Sequence, residues 1–244
     1  MTSLNCVFLT DKGLVRENNQ DTVLCSKEQV GCLPNLFIVA DGMGGHKGGE
    51  HASKKAVECF IERIKNTHAP TLIGRIKESI SYANDSLLKD AEADPELVGM
   101  GTTFVMSTVI DDVLYVANIG DSRLYLVNDD IRQITTDHSL VQEMVDQGTI
   151  KKEDARFHPK KNVITRALGT EMNIDPDCFE VPLKKDDTVL MCSDGLSNMM
   201  DDVEIKEIIR ENGNDINTSC EKLLKLAYDN GGKDNISILL VHIE

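Results

Sequence analysis

Four aspartates, Asp21, Asp41, Asp194 and Asp234, stand where a metal site could be built on rigid backbone. Asp41 directly follows the apolar run 35–40 and precedes Gly42, and Asp194 repeats that arrangement after the run 188–192. Asp21 lies at the junction of a polar loop and a strand. Asp234 sits in Gly231-Gly232-Lys233-Asp234-Asn235, just before the last apolar segment. A fifth, Asp121, follows Gly120 between two strands. Carboxylates at the ends of buried strands are held firmly. A following glycine lets a carbonyl such as that of Gly42 approach a cation closely. Oxygen ligands without His or Cys point to hard cations, Mg²⁺ or Mn²⁺, rather than Zn²⁺. Taken singly, each Asp-Gly or Gly-Asp pair is better read as a turn, and chain position does not show that the five converge.

Other reactive groups carry less. Gly42-Met43-Gly44-Gly45 before a helix lacks both G-K-[ST] and the G-x-G-x-x-G spacing of nucleotide loops. His46 and His51 lie in the same region and could be acids or ligands, although a solvent-facing histidine is the commoner outcome. No H-E-x-x-H or H-x-H grouping occurs. The seven cysteines are odd in number and none forms a C-x-x-C pair. Free buried thiols in a reducing cytoplasm are therefore expected, not a zinc site or a disulfide framework.

These groups must be positioned by a chain of 244 residues, 41% apolar and 27% charged, which is enough for one large domain with a sizeable core. The net charge of −15 argues against nucleic acid or an anionic membrane as the main partner. It also repels anionic substrates, so bound cations or a few arginines must offset it locally. The N-terminus lacks a basic segment followed by an apolar one, and no run of about 18 apolar residues exists. A cytoplasmic protein is expected.

The periodicity predicts strands over residues 4–10, 22–26 and 35–40, then helices over about 49–66 and 71–91. Ala52, Ala56, Phe60 and Ile64 form the stripe of the first helix, and Ile73, Ile76, Ile80, Ala83 and Leu87 that of the second. Residues 102–134 read as four strands of an antiparallel meander. Residues 137–167 read as an irregular surface insertion with short helical patches. A buried strand over 188–192, helices over about 202–210 and 216–230, and a last strand over 236–242 complete the order. Strands and helices in such groups suit an α+β layered architecture better than a doubly wound one.

In chain order, the motifs resemble the metal-dependent protein phosphatases, the PPM or type 2C serine/threonine family, and especially its short bacterial members. The first matching segments are Thr10-Asp11-Lys12-Gly13-x-x-Arg16-x-x-Asn19-Gln20-Asp21 and Val39-Ala40-Asp41-Gly42-Met43-Gly44-Gly45-His46. Next come Gly101-Thr102-Thr103, Ala117-Asn118-Ile119-Gly120-Asp121-Ser122-Arg123 and Thr136-Asp137-His138-Ser139. Asn162-Val163-Ile164-Thr165-Arg166-Ala167-Leu168-Gly169, Cys192-Ser193-Asp194-Gly195-Leu196 and Lys233-Asp234-Asn235-Ile236-Ser237 complete the set, which spans residues 4–241.

The resemblance implies a four-layer α-β-β-α sandwich of two antiparallel sheets flanked by helix pairs. It implies one catalytic domain over residues 1–244, with a flap subdomain at about 137–168. It assigns Asp41 as the bridge between two cations, Mn²⁺ or Mg²⁺. Asp194 and Asp234 would serve one of them, and Asp21 with the Gly42 carbonyl the other. Asp121 with Asp194 would hold a third. Arg16 would bind the substrate phosphate, so the catalytic set is Arg16, Asp41 and Asp194. Phosphorylated proteins would be substrates and a Ser/Thr kinase the counterpart of a monomeric enzyme.

The expected reaction is hydrolysis by a cation-activated bridging water without a phosphoenzyme. No cysteine lies in a C-x₅-R context, which disfavours a tyrosine-phosphatase mechanism. Larger relatives carry a histidine directly after Asp-Gly, whereas this chain has Met43, which cannot donate a proton. His46 is one candidate substitute, and a metal-bound water protonating the leaving group is the equal alternative. Gln20 stands where some relatives have Glu, so it would act through water or only position the loop. Two rival readings are an inactive binding module of the same fold and a small-molecule phosphoesterase.

Overall fold

Alternation along single strands sets the architecture. A computed structural model describes residues 3–45 and 47–244. In β3 (Leu36–Met43), Leu36, Ile38 and Ala40 face helices α1 (Gly48–Asn66) and α2 (Leu72–Ala93), while Phe37 and Val39 face a second sheet. The C-terminal strand β11 (Ile236–Ile243) does the same. Ile236, Ile238 and Leu240 meet helices α6 (Asp202–Asn212) and α7 (Ile216–Asp229), and Leu239, Val241 and Ile243 point into the inter-sheet core. Both strands therefore read as continuous apolar runs although their sheets are antiparallel, because each sheet is covered on both faces.

The first sheet runs β2 (Asp21–Ser26), β3, β5 (Phe104–Ile110), β6 (Val113–Ile119) and β9 (Asp177–Pro182), with the two-residue β4 (Gly101–Thr102) pairing to the end of β3. The second runs β1 (Leu4–Asp11), β11, β10 (Thr188–Cys192), β7 (Arg123–Val127) and β8 (Ile131–Gln133). Every named pairing is antiparallel. The helix pair α1/α2 lies outside the first sheet and α6/α7 outside the second, which gives the expected four-layer sandwich. Thr71 caps α2, accepting from the Gly74 N–H at 3.0 Å, and a reciprocal Asp201–Glu204 capping box starts α6. Between β8 and β9 the chain leaves the sandwich, with helices α3 (Leu140–Asp146) and α4 (Lys152–Ala155) inside that excursion. No helix among the described residues is long and apolar enough to cross a membrane.

Three sequence expectations need correction. Asp41 does not follow its strand but lies within it, because Gly42 and Met43 continue the pairing with β4. Residues 102–134 do not form one meander. Pairs β5–β6 and β7–β8 lie in different sheets, and the chain crosses between them at Gly120 and Asp121. Local pattern cannot separate a hairpin from a sheet-to-sheet crossing, since both present a glycine turn between apolar strands. Edge strand β9 was not anticipated, because its half-polar sequence Asp-Cys-Phe-Glu-Val-Pro gains its identity only from pairing with β6.

The crossing depends on Gly120. Its φ is +103°, and a Cβ there would meet Thr103 Cγ2 at 2.6 Å. Gly120→Ala should lower stability by more than about 1 kcal/mol, read from the urea midpoint at unchanged slope. It should also displace Thr103 from the site described next.

Candidate active site

Pairing of β2 with β3 sets Asp21 directly opposite Asp41. Two residues along each strand, Val23 and Val39 point into the inter-sheet core, so by the two-residue period both aspartates face the same interior. Like charges directly opposite each other destabilise a strand pair. The register cannot slip to separate them without turning Val23 and Val39 outward. The two carboxylates are thus forced together where the sheets end.

Asp41 is fixed through its backbone. Its N–H donates to Thr103 Oγ1 at 2.9 Å, and its carbonyl accepts from the Thr103 N–H and the Thr102 hydroxyl, each at 2.9 Å. Asp194 opens the one-turn helix α5 (Asp194–Ser197). The chain packs so closely there that a Cβ on Gly195 would sit 1.9 Å from the Asn235 carbonyl. Gly42 is equally constrained, with the Gly49 carbonyl 2.0 Å from where a Cβ would be. Asp21 Oδ2 accepts from the hydroxyls of Ser193 at 2.8 Å and Ser237 at 2.7 Å. Asp194 Oδ2 accepts from Asn198 Nδ2 at 2.9 Å.

Arg16 is carried on the loop after β1, and that loop is sutured to the turn preceding β11. Asn235 Nδ2 donates to the carbonyls of Lys12 and Asn18 at 3.0 and 2.9 Å, and Asn235 Oδ1 accepts from the Gln20 N–H at 2.8 Å. Arg16 Nη2 donates to Asp234 Oδ2 at 2.8 Å, yet 54% of its side chain stays exposed. The Asp234 hydrogen bond raises the Arg16 pKa further. Gln20 Nε2 donates to the carbonyls of Gly44 and Gly45, each at 3.3 Å, so its amide holds the glycine turn. His46 lies outside the described residues.

Arg16, Asp41, Gly42, Asp121, Asp194 and Asp234 line one cavity of about 690 Å³, whereas Asp21 is not part of its wall. Burial pushes Asp41 and Asp121 well above the usual carboxylate range, Asp21 up to about 7 and Asp194 to about 6. Neighbouring aspartates add to each shift: Asp21, Asp194, Asp121 and Asp234 all act on Asp41. Among the described residues, no three Asp, Glu, His or Cys side chains close into a ligand sphere as they stand. The carboxylates border the cavity instead.

Among the described residues, two carboxylate oxygens, Asp21 Oδ1 and Asp194 Oδ1, are buried with no hydrogen-bond partner. Buried oxygens are normally paired, and leaving them bare costs about 1–3 kcal/mol each. Carboxylates plus a strand carbonyl are the donors that hard divalent cations prefer. The residues present therefore fit Mg²⁺ or Mn²⁺.

The excursion after β8 is anchored beside this cavity. Arg123 donates to both Asp137 oxygens at 2.7–3.0 Å. His138 Nδ1 accepts from the Gly120 N–H at 3.1 Å, which leaves Nε2 as the donor to Asp177 at 3.1 Å. Farther along, Lys161 Nζ donates to Asn198 Oδ1 at 3.3 Å, and Asn198 in turn bonds Asp194. Lys161, Arg156 and Lys233 line an adjoining groove. Burial, then the repulsion of Arg156 and Lys233, lowers the Lys161 pKa against the pull of Asp194.

The structure thus brings Arg16, Asp41, Gly42, Asp121, Asp194 and Asp234 to one cavity and places Asp21 beside Asp41. Sequence reasoning gave no role to Ser193, Ser237, Asn235 or Asn198. Ser193 and Asn235 adjoin Asp194 and Asp234 in the chain, and Asn198 stands at i+4 from Asp194. Those positions were the available signal.

A carboxylate with a raised folded pKa adds stability below its unfolded value of about 4, and that increment is lost as pH rises through the folded value. Without metal, Asp194 and Asp21 should therefore depress the melting temperature progressively as pH climbs from about 5 to 7.5. Calorimetry in EDTA should show that fall. Millimolar Mn²⁺ should reverse it, with a larger gain at the higher pH, because binding competes with protons.

A profile described as Protein phosphatase 2C matches residues 15–235. The serine/threonine phosphatase stp of Listeria innocua is 40% identical, with 98% of this chain and 95% of that protein covered. Protein phosphatase PhpP of Streptococcus pneumoniae is 36% identical, with 96% and 95% covered. Among solved structures, Stp1 from Staphylococcus aureus superposes with a TM-score of 0.91 at 36% identity, covering 100% of this chain and 96% of that one. The catalytic domain of PstP in complex with two manganese ions superposes with a TM-score of 0.85 at 32% identity, covering 100% and 99%. With this fold and this carboxylate cavity, the chain belongs to the protein phosphatase 2C family of serine/threonine phosphatases.

Proposed function

We propose that the chain hydrolyses phosphoserine and phosphothreonine in proteins directly with water, without a phosphoenzyme, using two divalent cations, Mn²⁺ or Mg²⁺. It would do so as a monomeric, single-domain cytoplasmic enzyme that opposes a Ser/Thr kinase. The observation that carries this reading is the pair of bare, buried oxygens on Asp21 and Asp194 among carboxylates that repel one another. Asp41 would bridge the two cations, with Asp194 and Asp234 on one and Asp21 and the Gly42 carbonyl on the other. Asp121 with Asp194 would hold a third. The two manganese ions of the PstP complex support a binuclear set. When bound, such ions lower the pKa of water toward neutrality and offset phosphoryl charge.

Arg16 receives the substrate phosphate. Its planar fork carries N–H groups beyond the one that bonds Asp234, and these suit phosphoryl oxygens. Asn235 ties down the loop on both sides of Arg16, so the guanidinium is presented from fixed backbone. Arg156, Lys161 and Lys233 form a cationic border on a chain whose net charge is −15, which eases the approach of an anionic substrate. Residues 137–168 act as the flap that carries part of this border. Met43 cannot donate a proton, so the candidate donors to the leaving oxygen are His46 and water.

Metal-dependent hydrolysis of p-nitrophenyl phosphate should vanish in Asp194→Asn; retained activity would remove Asp194 from the site. On phosphothreonine peptides, kcat/KM should exceed that on nucleotides by orders of magnitude, and the reverse order would make the chain a small-molecule phosphoesterase. Arg16→Ala should lower kcat/KM on phosphopeptides by about 10²-fold, the scale of one lost charge-assisted contact. In the same assay, His46→Ala with an unchanged kcat and pH profile would exclude His46 as proton donor.

A further inference from the structure

Cys6 on β1 and Cys25 on β2 face each other at the rim of the inter-sheet core, with their sulfurs 3.1 Å apart and the Cys25 S–H directed at Cys6 Sγ. Strands β1 and β2 are the outermost strands of different sheets and share no ladder. The thiol pair is therefore a side-chain contact bridging the two sheets along one open edge of the sandwich. Both residues are half-buried, whereas Cys59, Cys192 and Cys220 are buried. This departs from the expectation of uniformly buried thiols.

From this juxtaposition we infer that Cys6 and Cys25 form a reversible disulfide that staples the two sheets together when the protein meets hydrogen peroxide. A disulfide needs an S–S distance of about 2.05 Å, so the sulfurs must close by only about 1 Å from their present 3.1 Å. The hydrogen bond from Cys25 and the nearby Lys27 ammonium lower the Cys6 pKa against the effect of burial, which favours Cys6 as the attacking thiolate. Cys6 sulfur attacks one peroxide oxygen, the O–O bond breaks, and hydroxide leaves, giving a sulfenic acid on Cys6. Cys25 sulfur then attacks Cys6 sulfur, the S–O bond breaks, a second hydroxide leaves, and the Cys25 proton is released. In sum, two thiols and one peroxide give one disulfide and two waters, and two electrons pass from sulfur to oxygen. A dithiol reductant reverses the step.

The ring so closed runs from Cys6 to Cys25 and contains the loop that carries Arg16. The sulfurs themselves lie at the rim of the inter-sheet core, and none of the residues lining the carboxylate cavity is a cysteine. The staple acts on stability, through the constraint that a cross-link puts on the unfolded chain. Its readout does not depend on phosphatase activity.

The full chain is treated with hydrogen peroxide, remaining thiols are alkylated, and the protein is digested with trypsin without reduction. Cleavage after Lys12, Arg16 and Lys27 places Cys6 and Cys25 in separate peptides. The expected product is the linked pair, two hydrogens lighter than the sum of its parts, absent from Cys6→Ser and Cys25→Ser and retained in Cys32→Ser. The oxidised wild-type chain should melt about 5 °C or more above the reduced one, and dithiothreitol should abolish the difference. Alkylation of both cysteines after oxidation, a sulfinic acid on Cys6 without cross-link, or linkage of either cysteine to another would overturn the inference. So would a linked pair with an unchanged melting temperature.

Discussion

Everything at this site follows from two carboxylates held opposite each other by strand register. Asp21 and Asp41 are neighbours because Val23 and Val39 must both reach the inter-sheet core. The hydrophobic gain along β2 and β3 thus enforces an electrostatic loss at their ends. The fold spends polar groups to contain that loss: the Ser193 and Ser237 hydroxyls serve one oxygen of Asp21 and nothing serves the other. A divalent cation is the group whose charge and oxygen preference would turn this local frustration into binding energy.

The remaining elements can be understood as supports for that pair. Thr102 and Thr103 pin the Asp41 backbone, and Gly120 lets the chain cross between sheets against Thr103. Asn235 stitches the Arg16 loop to the entry of β11, so Arg16 and Asp234 move as one unit. Asn198 couples Asp194 to Lys161, which connects the excursion after β8 to a carboxylate of the cavity. None of these side chains is acidic, and each restricts where an acidic one can go.

The chain's acidity also gains a local meaning. A net charge of −15 repels phosphate over the whole surface. Arg16 stands in the cavity wall, and Arg156, Lys161 and Lys233 line the groove beside it. Cationic charge is thus gathered at and beside the carboxylate cavity. The flanking sheets stay apolar within, so the site inherits its rigidity from three stacked cores.

Sequence alone determined the layers and the residue types gathered at the site. The runs that form β3, β10 and β11 and the helical stripes of α1, α2, α6 and α7 are local signals, because burial on a face is written in residue period. The identity of the five aspartates, Gly42 and Arg16 was equally legible, through their ordered motifs. Tertiary structure decided what period and spacing cannot encode. It put Asp41 inside its strand, directed residues 102–134 into two sheets, and recruited β9 as an edge through pairing with β6. It also chose Ser193, Ser237, Asn235 and Asn198 as partners and brought Cys6 to Cys25. Contacts such as Ser237 with Asp21 join residues more than two hundred positions apart. They exist only once separate strands have stacked, and no local pattern of charge or hydrophobicity specifies them.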